Sequence, residues 1–197
     1  MKYLIATIAI LFSVYASGAD IEANDMAKDA ASFAEMRMAY ARRAPAGGID
    51  WSIDDEREAV VKSYSEEAPK AFIDGSAKWL AKCPVDAKVH LMRASLLLKT
   101  GDVSGHFYHR MMYYGLMASI ATSGDGKTPK TAYKVIAVEE EYTMLRHIGA
   151  KVVKQGLIKG PCDEMSVEIN GKSETIYFDV SIAMGGLKKE KEKAEKK

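Results

Sequence analysis

Apolar positions recur at helical spacings of three and four over the first two thirds of the chain and alternate over much of the last third. Between Met26 and Arg43 they fall at Ala30, Phe33, Ala34, Met36 and Ala41, widened by Met38 and Tyr40, and Pro45 with Gly47-Gly48 ends the run. Trp51 sits in the connection, placed to lid the core. Acids at Asp54, Asp55 and Glu56 suit the positive start of a second helix reaching about Tyr64. Ser65 is the expected cap of a third, which carries Glu66, Glu67 and Pro69 in its first turn and stops at Cys83-Pro84. A fourth covers Asp86 to Lys99 and is closed by Gly101; a fifth, rich in tyrosine and methionine, spans Val103 to Thr122.

Beyond Thr122 the period changes. Tyr133 to Val138 reads as strand, Val138 to Ile148 as a short helix ended by Gly149, and Lys151 to Ile158 as strand. Met165, Val167 and Ile169 alternate with polar residues, Asn170-Gly171 signals a tight hairpin, and Thr175 to Ser181 returns as its partner. The expected fold is α+β: helical hairpins over about 25–122, packed against a small antiparallel sheet with one helix over about 123–182, as a single domain within 20–187. The helices from Ala68 to Ile120 resemble a tetratricopeptide-type hairpin and the start of another, carried by Pro84, the small Ala94 and the Gly101-Asp102 turn. Fewer than three such units rarely stand alone, so the mixed segment is expected to cap them.

The first 19 residues change the setting. Lys2, an apolar run from Tyr3 to Tyr15, and small residues at Ala16-Ser17-Gly18-Ala19 have the order of a secretory signal peptide cleaved after Gly18 or Ala19. The run is shorter than the roughly 20 residues of a membrane span. The chain is therefore expected to be periplasmic or secreted, with no span after cleavage. Lys+Arg number 28 and Asp+Glu 27; without residues 1–19, which hold Lys2 and no acid, both come to 27. That balance lacks the basic footprint of a nucleic-acid binder. Lys188 to Lys197, with six lysines and three glutamates, reads as a solvated tail. Cys83 and Cys162 are open to two outcomes, a disulfide across a long loop or two free thiols.

Candidate chemistry gathers between Ser123 and Tyr142. Gly126-Lys127-Thr128 invites a phosphate-loop reading, but the loop's first glycine is Ala121 and a helix precedes it where a strand is needed. His106 and His109 share a helix face and could ligate a metal only with a third ligand, from Glu139, Glu140, Glu141 or His147. A hydrogen-bonded, partly buried histidine is the simpler expectation, and no cofactor is implied. The three glutamates are most simply helix-start charges, and the sharper reading turns at least one of them inward toward Lys127, Arg110 or a histidine.

The residues Cys83-Pro84-Val85-Asp86, His90, Gly101-Asp102, His109-Arg110, Ser123 to Lys127, Thr131-Ala132-Tyr133, Val135-Ile136, Glu140-Glu141-Tyr142 and Tyr177 to Val180 resemble the Domain of Unknown Function 4919 family, over roughly Ala68 to Val180. The resemblance implies fold and export, and it transfers no mechanism. Asp179 stands where it leads one to expect asparagine. The candidate site is His109, Arg110, Asp125, Lys127, Tyr133, Glu140, Glu141 and Tyr142. The leading functional expectation is an envelope-accessory module that binds another envelope or secreted protein. A hydrolase or metal-dependent enzyme at the helix–sheet junction is the second reading, requiring His109, Lys127 and a glutamate to converge. An inhibitor or immunity-type partner of a secreted protein is the third.

Overall fold

Aspartates cap three of the helices in the first half of this chain. A computed structural model describes residues 23–43, 51 and 54–185; the expected signal peptide and the charged tail lie outside the described residues. Helix α1 is Ala23–Arg43, α2 Asp55–Lys62, α3 Pro69–Lys82, α4 Ala87–Lys99 and α5 Val103–Ala121. Asp54 accepts from the amides of Glu56 and Arg57, Asp86 from that of Val89, and Asp102 from that of Gly105. Each satisfies donors that a helix start leaves without partners. Helix α3 begins later than expected. Ser65 Oγ accepts from the Ala68 amide outside the helix, and Pro69 takes the first helical position, where its missing N–H costs nothing.

After α5 come a 3-10 turn at Pro129–Thr131, β1 at Tyr133–Lys134, helix α6 at Val138–His147, and strands β2 at Lys151–Ile158, β3 at Cys162–Ile169 and β4 at Lys172–Asp179. A last helical turn covers 181–185. The sheet order is β1-β4-β3-β2, with β2, β3 and β4 antiparallel. Asn170 and Gly171 join β3 to β4 with φ of 51° and 74°, the two positive values that a twist-matched two-residue hairpin requires.

The sheet is mixed rather than purely antiparallel, because β1 runs parallel to β4. Strand β1 is also shorter than the sequence implies. Its ladder ends when the Val135 amide has donated to Asp179 O, since the next amide, Ile136, donates to the Glu140 carboxylate. That carboxylate bends the chain straight into α6.

One core runs through helices and sheet, from Phe72 and Val89 through Leu116 and Ile136 to Met165 and Phe178. Trp51 closes it, buried edge-on against Tyr40 with ring centres 5.7 Å apart. Helix α1 lies on α5 at Gly115, where an added Cβ would sit 2.1 Å from the Phe33 ring. Replacing Gly115 with alanine is therefore expected to lower unfolding stability by about 1–3 kcal/mol through overpacking. Phe33→Leu in the same chain should restore part of it, as read from urea midpoints.

Candidate functional site

The joint between helices and sheet is built around Glu140. Helix α6 places its first turn at Glu139, Glu140 and Glu141, where carboxylates suit the positive end. Glu140 and Glu141 are both buried, as the sharper reading allowed, but the partner of Glu140 is Arg37 of α1 rather than Lys127, Arg110 or a histidine. Arg37 Nε donates to Glu140 Oε1 at 2.8 Å and its Nη2 to Oε2 at 2.6 Å. The same guanidinium donates to Ser119 Oγ of α5 at 3.3 Å and to the Lys134 carbonyl of β1 at 2.9 Å. Arg37 and Glu140 are 1% and 3% exposed, so this is a buried, two-pronged ion pair tying four elements together.

A second buried arginine works beside it. Arg57 of α2 donates to Asp86 Oδ2 at 2.6 Å, and Trp79 Nε1 donates to the same oxygen at 2.9 Å. Burial works against the Arg57 charge, but the bond and charge of Asp86 and the charge of Glu139 outweigh it and hold the guanidinium above its ordinary pKa. Glu139 faces Arg57, Lys88 and Arg146 at 3.4, 3.4 and 3.0 Å. Burial raises its carboxyl, and those three cations more than reverse the effect. Cys83 lies buried next to this network. Burial, and then Asp86, push its thiol up to about 12. Both cysteines are free and buried, so no disulfide forms.

His109 belongs to a third network, between α4 and α5. Arg93 Nε can only donate, so His109 Nε2 must accept it at 2.9 Å. The His109 proton then sits on Nδ1 and goes to His90 Nδ1 at 2.7 Å, while His90 Nε2–H meets the Pro84 carbonyl at 3.1 Å. Arg93 also reaches Ser76 Oγ of α3 at 2.8 Å. Both imidazoles are neutral in this arrangement. Burial, the neighbouring His90 and the Arg93 charge lower His109 to about 4. His106, on the same helix, bonds the Ala94 carbonyl at 2.9 Å and is buried.

The remaining expected residues are dispersed. Arg110 covers the Tyr114 ring at 5.4 Å. Asp125 Oδ1 accepts from Thr131 Oγ1 at 2.6 Å and the Lys127 amide at 3.0 Å, which locks the loop on itself. Gly126, with φ of 65°, leaves room for the Tyr133 ring, which packs on Phe178. The Lys127 side chain is exposed. Glu141 is buried, and the Tyr142 hydroxyl donates to Gln155 Oε1 of β2. His109, Lys127 and Glu140 share no hydrogen bond or ion pair with one another: His109 is held by His90 and Arg93, and Glu140 by Arg37. Among the described residues no group of three or more His, Cys, Asp or Glu side chains is placed to hold a metal.

What the structure leaves open is apolar. Val103, Phe107 and Met111 follow one another at four-residue spacing on α5, each about half exposed or more, with Tyr108 beside them and Leu98 of α4 nearby in the chain. The methionine and tyrosine residues of α5 thus divide, since Met112, Tyr113 and Met117 are core.

Arg37, Arg57, Asp86, His90 and Arg93 are absent from the sequence-derived site. Arg37 had a visible signal. It falls seven residues after Ala30 and four before Ala41, on the apolar face of its own helix.

Two outcomes test these networks. Arg37→Met leaves the Glu140 charge buried without its partner and is expected to cost about 3–5 kcal/mol of unfolding stability. Adding Glu140→Gln should recover part of that, measured by urea denaturation. The second outcome concerns acid. Unfolded His109 binds a proton near its ordinary pKa of 6.5, while the folded residue resists until about 4. Stability should therefore decline as pH falls through that window, and His90 and His147, also lowered by burial, pull the same way. His109→Gln should flatten the decline, and an unchanged slope would contradict the assignment.

No curated protein and no solved structure matches the chain, so the tetratricopeptide likeness of α3 to α5 gains no support from a known fold. Residues 49–189 match a family model, a span that includes Glu140, His109 and the whole sheet and begins after α1 has contributed Arg37. The chain belongs to the family described as Domain of unknown function (DUF4919).

Proposed function

We propose that this chain is an exported envelope-accessory module that docks another envelope or secreted protein through the outer face of α5. One observation carries the reading: Phe107 is 65% exposed, in line with exposed Val103 and Met111. An apolar row at helical spacing is the form in which a helix offers itself to a complementary apolar face. Aromatic and methionine side chains give such contacts most of their energy. The charged residues support the same reading from the other side. Arg37, Arg57, Asp86, Arg93, His90, His109 and Glu140 are each engaged by neighbours within the chain, which leaves them as scaffold. Export is supported by the order of charge, apolar run and small residues over 1–19.

Phe107→Asp with Met111→Asp is the direct test, because both side chains already face solvent. The pair should leave the urea midpoint within about 0.5 kcal/mol of the parent chain, as exposed substitutions do. It should also abolish recovery of the partner from native envelope extracts. Undiminished recovery would refute this face as the docking surface.

A further inference from the structure

Strand β2 forms one edge of the sheet, and the two halves of that edge are built differently. The first half carries Lys151 and Lys154 with a register break between Val152 and Lys154. Charged side chains and bulges of this kind keep other strands from pairing with an edge. The second half, Gln155 to Ile158, has no charged residue, and a Cβ added at Gly156 would meet nothing within 4 Å. Leu157 is 58% exposed there although it lies opposite Asp163, on the same sheet face as buried Met165. One half of the edge is guarded and the other is left open.

The open half borders a groove of about 400 Å³, lined by Val138 of α6, Leu157, Val180 and Met184, with Gln155 and Asp163 as its polar groups. Asp163 is 6% exposed. It is held by a relay in which the Tyr142 hydroxyl donates to Gln155 Oε1 and Gln155 Nε2 donates to Asp163 Oδ2. No ion pair reaches Asp163 among the described residues, whereas the buried carboxylates of Glu140 and Asp86 both have arginines. Burial raises the neighbouring Cys162 thiol, and Asp179, Asp163 and Glu141 raise it further. A buried carboxylate without a counter-charge is costly and is compensated best by a cation with hydrogen-bond donors. A lysine side chain has an ammonium head and an apolar stem, which suit such a floor and such walls.

The geometry points to a peptide-binding site in which an extended segment of another protein adds to the second half of β2 and sets a lysine side chain into the groove against Asp163. Backbone pairing along the edge supplies the affinity, and the groove selects the side chain. This site is separate from the α5 face and does not depend on it.

The test uses the purified chain and a blocked six-residue peptide, acetyl-Thr-Val-Lys-Val-Thr-Val-amide, with counterparts carrying norleucine or glutamate in place of lysine. Amide exchange at Gln155 to Ile158 and the dissociation constant are read by NMR. The lysine peptide at millimolar concentration should slow exchange at the outward-pointing amides among these, the alternate ones that do not donate to β3. Norleucine in the peptide, or Asp163→Asn in the protein, should each weaken binding about tenfold, the scale of one charge-assisted bond. Leu157→Lys, at an exposed position, should abolish it. Absence of protection, or protection indifferent to lysine and to Asp163, would overturn the proposal. So would edge amides already protected in the full chain and released by removing residues 188–197, since the occupant would then be the chain's own lysine-rich tail.

Discussion

A carboxylate as buried as Glu140 is tolerable only while its charge is answered, and the answer comes from 103 residues earlier in the chain, at Arg37. That requirement organises much of the fold. To reach Glu140, α1 must lie across α5, which it does through the close approach of Phe33 to Gly115. To present its carboxylate, α6 must start where β1 stops, and the Ile136 amide is drawn from the ladder to the same oxygen that Arg37 holds. The shortness of β1, the position of α1 and the start of α6 are three consequences of one buried pair.

The other polar networks follow the same logic. Arg57 with Asp86 ties α2 to the connection before α4, and Trp79 adds its indole N–H to that carboxylate. Arg93 links α3, α4 and α5 through His109 and Ser76. Each interhelical gap that could have been filled by apolar packing alone carries a directional bond, which restricts how the helices can slide. The cost is that the chain's most reactive-looking side chains are spent on architecture. Among the described residues, the outward features that carry no such bond include the apolar row on α5 and the uncharged half of the β2 edge.

Much of this fold is legible in the sequence. The helix spacing, the aspartate caps and the Asn170-Gly171 hairpin are local signals, and they place every major element within a few residues. The pairing partners are not local. Nothing near Glu140 indicates that a residue in the first helix neutralises it, and a triple glutamate at a helix start has a sufficient explanation in the helix dipole. The parallel pairing of β1 with β4 is equally non-local, fixed by where the Gly126 loop docks on Tyr177. Of the eight candidate site residues, Glu140 is the centre of a network spanning both halves of the fold, while Asp125, Lys127 and Tyr133 share the Gly126 loop and His109 sits between α4 and α5. Densely placed chemistry in the sequence marked a structural joint, because joints between elements need caps, turns and buried charges as much as sites do.

Native-state hydrogen exchange at the Ile136 amide tests the central claim most directly. That N–H donates 2.8 Å to Glu140, not to a strand, so its protection reports the buried pair itself. If the pair is the constraint on which the fold depends, Ile136 should exchange only through global opening, with the same free energy as the slowest amides of α5. Exchange of Ile136 through a low-energy local opening, while α5 stays protected, would contradict the account.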